Sequence, residues 1–208
     1  MVAATVQETT LYLIRHGEIE ANVERRWHGH TDSELTELGM EQATRLGHYL
    51  HEQHGNVRAV YSSPLKRTRR TTELINAHLQ LQPVFLDGLM EYGIGILENT
   101  LYEELHGKLG FFGKIAADFH YAPDRGESLT QVMTRMLAAI ADIREAHAGE
   151  EVAVVGHGAA MAIALAGLMD GKPFPFFQYH TSNTGLSKLV LGGDPRLDFF
   201  DRTDHLEN

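Results

Sequence analysis

Short apolar runs alternate along the chain with apolar positions at helical spacing. The runs are typical of buried strands, because each is only a few residues long and is bounded by turn residues. The predicted strands are residues 11–14, 57–61, 84–86 and 152–155, with a final pair at 185–191 and 197–200. The predicted helices are residues 36–53, 64–79, 127–147 and 159–169.

Two of these helices have recognisable start signals. Thr36, followed by Gly39 and Glu41, predicts the beginning of the first helix. The run Ser-Ser-Pro at 62–64 predicts an N-cap with a proline in the first turn of the second helix. Strand-to-helix steps of this kind are typical of α/β folds.

The order of the elements predicts the fold class. Alternating strands and helices favour a layered α/β sandwich with a largely parallel sheet, in which the last two strands could run in either direction. The segment 91–122 is rich in glycine and lacks a clear period, which indicates an irregular excursion over a site. Neither an internal repeat nor a linker is visible, so we expect one domain over residues 1–208.

Composition agrees with one globular domain. The 208 residues are 43% hydrophobic and 22% charged, with 20 Gly and 6 Pro, which argues against collagen-like, low-complexity or mainly disordered chains. The apolar stretch 152–169 approaches the length of a membrane span, but Gly156, His157 and Gly158 interrupt it. We interpret it as strand, turn and helix, and we expect no membrane association.

Charge and cysteine content narrow the functional classes. The chain has 18 Lys and Arg against 28 Asp and Glu, a formal charge of −10, so nucleic acid is not an expected partner. A small anionic substrate is still compatible, because a few convergent cations can reverse the field locally. Without Cys, disulfides, thiolate metal sites and a Cys nucleophile are excluded, and the N-terminus lacks a secretory signal pattern. We therefore predict a cytoplasmic location.

Two histidines follow apolar strands in nearly equivalent settings. His16 comes after strand 11–14 and Arg15, and His157 comes after strand 152–155 and a glycine. Ligands of open α/β sheets bind at the carboxyl ends of strands, so both side chains are candidates for one site. A single histidine in this position is more often structural or exposed, and the duplication is what favours function.

Basic residues accompany the two histidines. Arg15 precedes His16, and the run 66–70 carries four cations at the start of the second helix. Most of such a run is usually a solvated helix face, but one inward arginine is enough to bind phosphate through its planar fork. Phosphate is therefore the predicted substrate group.

Six motifs carry a family resemblance. In order they are LYLIRHGEIEAN, GHTDSELTELGMEQA, SSPLKRTRRT, LMEYGIG, DRGESL and VVGHG. Together they resemble the histidine phosphatase superfamily, in its phosphoglycerate mutase-like branch, over about residues 10–190. The resemblance implies a three-layer α/β/α sandwich around a mostly parallel mixed sheet, with a helical lid insertion at about residues 92–126.

The resemblance also implies roles for individual residues. His16 would be the nucleophile that becomes phosphorylated, Glu91 the proton donor, and His157 the second active-site histidine. The residues implied to bind substrate are Arg15, Asn22, Arg67 and His157, with His28 in a position where the family often has Gln. In such a mechanism a neutral imidazole attacks phosphorus, while Arg15, Arg67 and His157 match the charge on the equatorial oxygens. It requires neither a metal nor a cofactor.

Several residues depart from the family pattern. Ile19, Ala21, His28 and Asn99 stand where family members often have Thr, an aromatic residue, Gln and Gly. We therefore expect the chemistry to transfer more reliably than the substrate specificity. His28 and His30 could be imagined as a metal pair, but the sequence places no third ligand beside them, so metal binding is not the expectation.

The length of the insertion bears on which reaction is catalysed. Only 65 residues, 92 to 156, separate Glu91 from His157, and this compact insertion resembles the phosphatase members. The predicted function is therefore a metal-independent histidine phosphatase that hydrolyses a small phosphomonoester through a phosphohistidine. The alternatives are a cofactor-dependent phosphoglycerate mutase and a non-catalytic phosphoester-binding protein. Family resemblance alone suggests a homodimer.

Aromatic residues of the insertion predict the character of the substrate. They are Phe111, Phe112, Phe119, His120 and Tyr121. As a pocket wall they would favour a phosphomonoester with nonpolar or ring character, and as lid core they would say nothing about the substrate. Both interpretations are open from the sequence.

Overall fold

The computed structural model describes residues 7–207, in which six strands form one mixed sheet. The strands are β1 (Thr9–Arg15), β2 (Val57–Ser62), β3 (Val84–Phe85), β4 (Glu151–Gly156), β5 (Leu186–Leu191) and β6 (Arg196–Arg202). Their spatial order is β3-β2-β4-β1-β5-β6. The first four in that order are parallel, whereas β5 and β6 are antiparallel to their neighbours.

Seven α-helices accompany the sheet in the described part of the chain. They are α1 (Glu20–Val23), α2 (Glu37–Gln53), α3 (Lys66–Leu79), α4 (Tyr102–His106), α5 (Phe111–Ala117), α6 (Leu129–Ala146) and α7 (Gly158–Asp170). The short α1 was not predicted from the sequence. Among residues 7–207, none of the helices has the length and apolarity needed to cross a bilayer.

The two faces of the sheet carry different helices, which confirms the three-layer α/β/α sandwich. Leu11 and Leu13 of β1 pack with residues of α6 and α7, whereas Tyr12 and Ile14 pack with residues of α2 and α3. Both faces of β1 and β4 are therefore buried. Strands covered on both sides become continuous apolar runs, and this is the pattern that made them visible in the sequence.

The start of α3 differs from the prediction. The helix begins at Lys66, with Leu65 in the N-cap position and no side-chain cap, so neither serine is the cap and Pro64 lies before the first turn. The Ser63 hydroxyl is instead hydrogen bonded to His157. By contrast, Thr36 does cap α2, because its side chain accepts a hydrogen bond from the Gly39 amide.

The insertion between Glu91 and α6 contains short helical elements rather than purely irregular chain. A 3-10 turn at Gly95–Leu97 is followed by α4 and α5. Leu105, Phe111 and Ile115 of these helices belong to the same apolar cluster as the sheet residues on that side. The insertion is therefore anchored by its own core side chains, and its role as a lid stays a prediction.

Candidate active site

The two predicted histidines meet at one edge of the sheet. β1 and β4 are adjacent and parallel, with Arg15 paired to Gly156, so the residues that follow both strands emerge side by side. The His16 amide donates to the Gly156 carbonyl at 3.0 Å. The ring centroids of His16 and His157 are 5.4 Å apart, at an interplanar angle of 62°. The predicted convergence of the pair is therefore seen in the structure.

His16 is held as a neutral ring with a defined tautomer. Its Nδ1 lies 2.7 Å from the Gly17 carbonyl, which can only accept, so Nδ1 carries the hydrogen and Nε2 keeps its lone pair. Burial lowers the pKa of His16 well below its ordinary value, and the nearby Arg67 and Arg15 lower it further. A neutral imidazole with a free Nε2 is the form that attacks phosphorus.

Glycine is needed next to this histidine because another chain segment approaches closely. A Cβ at Gly17 would overlap the Gly39 carbonyl at the start of α2. The Gly17 amide donates to the Thr71 hydroxyl of α3 at 3.1 Å. The backbone that carries the ring of His16 is thereby fixed between two helices.

Arg15 provides an unsatisfied buried donor beside His16. Its side chain is only 9% exposed, and its Nη1 donates to the Thr181 carbonyl and lies 3.4 Å from Nε2 of His180. Its Nε is buried without a hydrogen-bond partner among the described residues. A buried guanidinium N–H without an acceptor is costly, and an anion in this pocket would supply the acceptor.

Arg67 is the inward arginine of the basic run, and it is fully buried. Its Nη2 donates to the carbonyls of His28 (3.2 Å) and Gly29 (2.6 Å), and its Nη1 donates to the Thr31 carbonyl at 2.8 Å. Its Nε donates to Nδ1 of His157 at 3.2 Å. Four of the five N–H groups are thus engaged, which leaves one Nη1 hydrogen for a ligand.

The partners of His157 show that this ring is also neutral. Since Arg67 can only donate, Nδ1 of His157 accepts, and its Nε2 carries the hydrogen that is shared with the Ser63 hydroxyl at 2.8 Å. Burial lowers the pKa of His157 well below its ordinary value, and the charge of Arg67 adds to this effect. The role of His157 in matching the charge of a transferring phosphoryl group stays a prediction, and in this structure the neighbouring positive charge comes from the two arginines.

Glu91 reaches the same edge and is bound by backbone amides. Its carboxyl group is 7% exposed and lies at the N-terminus of α7, where negative charge is stabilised. The amides of Ala160 and Tyr92 donate to Oε1, each at 2.7 Å, and the amide of Ala159 donates to Oε2 at 3.1 Å. Oε2 therefore accepts one amide hydrogen bond, whereas Oε1 accepts two.

An ion-pair network holds the backbone of Glu91. Arg135 donates to the carbonyls of Gly88 (3.0 Å), Met90 (2.6 Å) and Glu91 (2.8 Å). It also pairs with both oxygens of Glu127, at 2.7 and 2.9 Å. Sequence reasoning assigned no role to Arg135, although Glu127 lies in the DRGESL motif. The sequence signal that could have indicated this role is the spacing of eight positions between Glu127, a residue of this motif, and Arg135.

His30 extends this network toward the loop that Arg67 holds. Its Nε2 donates to the Glu91 carbonyl at 3.0 Å and lies 3.5 Å from Glu127. This carboxylate raises the pKa of His30 through the hydrogen bond between them, and burial partly opposes the increase. The pKa of Glu127 is in turn lowered to about 2, because the hydrogen bonds from His30 and Arg135 outweigh the opposing effect of burial.

Asn22 is close to His16 through an unpredicted partner. Its Oδ1 accepts from the Ile19 amide at 3.2 Å and from Nδ2 of Asn183 at 3.1 Å. The same Asn183 Nδ2 lies 3.0 Å from the His16 carbonyl. Asn183 and His180 enter the site from a segment far along the chain, and no local pattern indicated them.

The ring of His28 is directed to other partners. Its Nδ1 lies 2.6 Å from the Ser33 hydroxyl and its Nε2 lies 3.2 Å from Oδ1 of Asn99, so neither nitrogen is free for a substrate. What reaches the site is its carbonyl, which accepts from Arg67. His28 and His30 have separate partners. Within residues 7–207, no three His, Asp or Glu side chains converge as a metal ion would require.

A cavity of about 940 Å³ is formed where the segments after Asn22 and before His180 meet residues of the insertion. It is lined by Glu24, Arg25, Leu101, Tyr102, Glu103, His106, Gly107, Phe112, Phe174 and Phe177. Of the five aromatic residues predicted to form a wall, only Phe112 lines it, and Phe111 is buried in the core. Phe174 and Phe177 were missed because they follow α7, outside the predicted insertion.

The chain is similar to known proteins in sequence and in fold. A model of the histidine phosphatase superfamily (branch 1) matches residues 11–197. The uncharacterized phosphatase PhoE of Bacillus subtilis is 32% identical over 165 residues, which are 79% of this chain and 80% of that protein. The probable phosphoglycerate mutase GpmB of Yersinia pestis is 34% identical over 193 residues, 90% of this chain and 87% of that protein. Among solved structures, phosphoserine phosphatase of Entamoeba histolytica in complex with 3-phosphoglyceric acid has a TM-score of 0.85 and 29% identity, covering 96% of this chain and 100% of that one.

Proposed function

The chain belongs to the histidine phosphatase superfamily (branch 1), and on this premise we propose that it hydrolyses small phosphomonoesters through a phosphohistidine on His16. The observation that carries the proposal is the tautomer of His16. Its Nδ1 is fixed by the Gly17 carbonyl, so the Nε2 lone pair is available beside two buried arginines. Relatives and neighbours named as phosphatases support the same class of reaction.

The first step transfers the phosphoryl group to the enzyme. Nε2 of His16 attacks phosphorus, the bond between phosphorus and the ester oxygen breaks, and the leaving alkoxide takes a proton from Glu91. The unpartnered Nε of Arg15 and the remaining Nη1 hydrogen of Arg67 match the charge of the equatorial oxygens. The hydrogen on Nδ1 keeps its hydrogen bond to the Gly17 carbonyl, and this bond stabilises the cationic ring of the phosphohistidine.

The second step returns the enzyme to its starting state. Water attacks the phosphohistidine opposite Nε2 while Glu91, now deprotonated, accepts the water proton. The bond between Nε2 and phosphorus breaks, and inorganic phosphate leaves with the free imidazole restored. Glu91 thus serves as acid in one step and base in the other, a dual role that requires its carboxyl group to be held in place. Arg135 and the α7 amides provide that positioning.

Phosphate release and trapping of the intermediate test this function. We expect wild type in EDTA to release phosphate from several phosphomonoesters, and His16→Ala to lose at least about a thousandfold in rate, as covalent catalysis requires. A brief reaction with a ³²P-labelled ester, stopped by denaturation, should leave an acid-labile, alkali-stable label on wild type alone. Equal phosphate release by His16→Ala would overturn the proposal, because the release would then not come from His16, and the non-catalytic binding alternative would be tested next.

Because the chain is similar to a probable phosphoglycerate mutase, mutase activity is the alternative reaction to measure. A bisphosphorylated intermediate needs cations for a second phosphate, whereas the described residues of the cavity include one arginine, Arg25, against Glu24 and Glu103. This charge pattern favours hydrolysis. Conversion of 3-phosphoglycerate to 2-phosphoglycerate that depends on added 2,3-bisphosphoglycerate would instead establish the mutase.

Other parts of the prediction belong to the same proposal. The insertion 92–126 would act as a lid over His16, and the single domain would act on a small-molecule ester. The cytoplasmic location and the homodimer stay predictions.

A further inference from the structure

Several residues that line the cavity of about 940 Å³ are close in sequence to residues of the catalytic pocket. Two of its lining residues, Glu24 and Arg25, come directly after the helix that carries Asn22. Two others, Phe174 and Phe177, precede His180, which contacts Arg15. The segments that build the phosphate pocket therefore also build this cavity.

Tyr102 stands at the boundary between the two spaces. It lines the cavity, and its amide donates to the carbonyl of Arg25, a lining residue that follows the helix of Asn22. Burial raises the pKa of Tyr102 and the Glu91 carboxylate adds to the increase, whereas Arg15 opposes it. The cavity is in a position to receive the alcohol group of an ester whose phosphate is held at His16, because its lining segments reach the pocket through Asn22 and His180.

Aromatic rings dominate the apolar side of the cavity. Phe112 and Phe177 pack edge to face with centroids 5.4 Å apart, and Phe174 and Phe177 do so at 5.8 Å. Phe177 is 46% exposed and Tyr102 is 38% exposed, although both are large hydrophobic side chains. Exposed apolar surface in a concave site gains free energy when a nonpolar ligand covers it, and a flat ring can pack against such edges.

The charged side of the cavity does not favour a compact anionic alcohol. Arg25 is accompanied by the carboxylates of Glu24 and Glu103, and Glu24 already pairs with Arg26 at 2.8 Å. A substrate carboxylate or second phosphate would therefore meet as much repulsion as attraction. The charge pattern and the aromatic side chains point to the same kind of ligand.

We propose that this cavity binds the alcohol part of the substrate, and that it selects phosphomonoesters in which a primary alcohol carries an aromatic ring a few bonds from the phosphate. Phe177 and Phe112 are the specificity-determining side chains. The inference rests on the proposed function, because it requires a phosphate held at His16. It does not follow from that function, since the same chemistry serves small polar esters equally well.

Esters of similar intrinsic reactivity test the selection. We would measure kcat/KM for 2-phenylethyl phosphate, 3-phosphoglycerate and phosphoserine, all phosphates of primary alcohols. The expected preference for 2-phenylethyl phosphate over 3-phosphoglycerate is about tenfold or more in wild type. Phe177→Ala and Phe112→Ala should each reduce the ratio of the two kcat/KM values about fivefold. Phe177→Tyr keeps the ring and should therefore keep the wild-type ratio.

Two controls separate selection from loss of structure. Ile96→Ala removes an exposed apolar side chain from a different cleft and should leave the ratio unchanged. Inhibition by inorganic phosphate reports the catalytic pocket, and an unchanged inhibition constant in Phe177→Ala would show that this pocket is intact.

The outcomes distinguish the two proposals. Absence of phosphate release from every ester by wild type would contradict the proposed function itself. Hydrolysis with a preference for 3-phosphoglycerate or phosphoserine, or with a ratio unchanged in both phenylalanine variants, would overturn the inference about the cavity while the function stands.

Discussion

Nε of Arg67 donates a hydrogen bond to Nδ1 of His157 at 3.2 Å, and this contact determines the state of the second histidine. It requires Nδ1 to accept, so the ring is neutral and its other N–H goes to Ser63. His157 is thereby held as a neutral polar group, and a phosphate dianion bound beside it would favour its protonation. Positive charge for the ground state comes from Arg15 and Arg67.

Arg67→Lys should damage both folding and catalysis. A lysine has no planar fork, so the carbonyls of Gly29 and Thr31 and Nδ1 of His157 would lose their donors in a buried place. We expect the free energy of unfolding to fall by at least about 2 kcal/mol and kcat/KM to fall about a hundredfold or more. Urea unfolding and steady-state kinetics measure the two effects.

The matched control for this substitution is Arg70→Lys, on an exposed turn of the same helix, where Arg70 pairs with Glu73 and with no other residue between positions 7 and 207. It should change stability by less than about 0.5 kcal/mol. Equal behaviour of the two variants would contradict the role given to Arg67.

Ser63→Ala should loosen His157. The substitution removes the hydroxyl that shares the Nε2 hydrogen and leaves a buried N–H without its partner. We expect a loss of about 1–2 kcal/mol in stability and about tenfold in kcat. Ser63→Thr keeps the hydroxyl and should recover most of the activity. A Ser63→Ala enzyme with wild-type kcat would show that this hydrogen bond does not position the ring.

Arg135→Ala should act through Glu91, because Arg135 holds the main chain there by donating to the carbonyls of Gly88, Met90 and Glu91. Misplacing the acid matters most when the leaving alkoxide is strongly basic, because such a group needs the proton. We therefore expect Arg135→Ala to reduce kcat for an alkyl phosphate about a hundredfold, and for 4-nitrophenyl phosphate by much less.

Glu91→Gln should likewise reduce kcat more for the alkyl phosphate than for 4-nitrophenyl phosphate, since the substitution removes the proton donor itself. A purely structural role for Arg135 predicts equal losses on both esters, and that result would contradict the positioning role. Arg135→Lys should recover part of the alkyl phosphate activity, because a lysine can still donate to one or two carbonyls.

Stability should fall as pH falls below the ordinary histidine range. Burial lowers the pKa of both His16 and His157 well below 6.5, so between that pH and the lowered values the unfolded chain binds protons that the folded chain does not. Their contribution is complete above about pH 7 and is lost on acidification, by up to about 1.4 kcal/mol per pH unit for each ring. Urea unfolding from pH 8 to pH 5 measures this slope.

A substitution can identify which histidines cause the pH dependence of the free energy of unfolding. His16→Asn keeps a polar side chain and should reduce the slope by about one histidine's share. His205 is a source besides His16 and His157, because burial lowers its pKa to about 4. A slope unaffected by His16→Asn would contradict the assignment and direct attention to His205.

Much of the fold was predictable because it depends on local patterns. Strands β1 and β4 are buried on both faces and therefore read as continuous apolar runs, and the Thr36 cap is encoded by neighbouring residues. The start of α3 was not predictable in the same way, since Ser63 is engaged by His157, 94 positions away. A local capping rule cannot see that competing partner.

The placement of Arg15, His16 and His157 follows from the sequence alone, because residues that end or follow a parallel strand emerge at the carboxyl edge of the sheet. Three other features depend on the packed fold: the inward direction of Arg67 in the basic run, the hold of Arg135 on Glu91, and the lining of the cavity by Phe174 and Phe177. Those outcomes depend on burial and hydrogen bonding between segments distant in the chain. Contacts of this kind form only after the layers have packed, so no pattern of neighbouring residues records them.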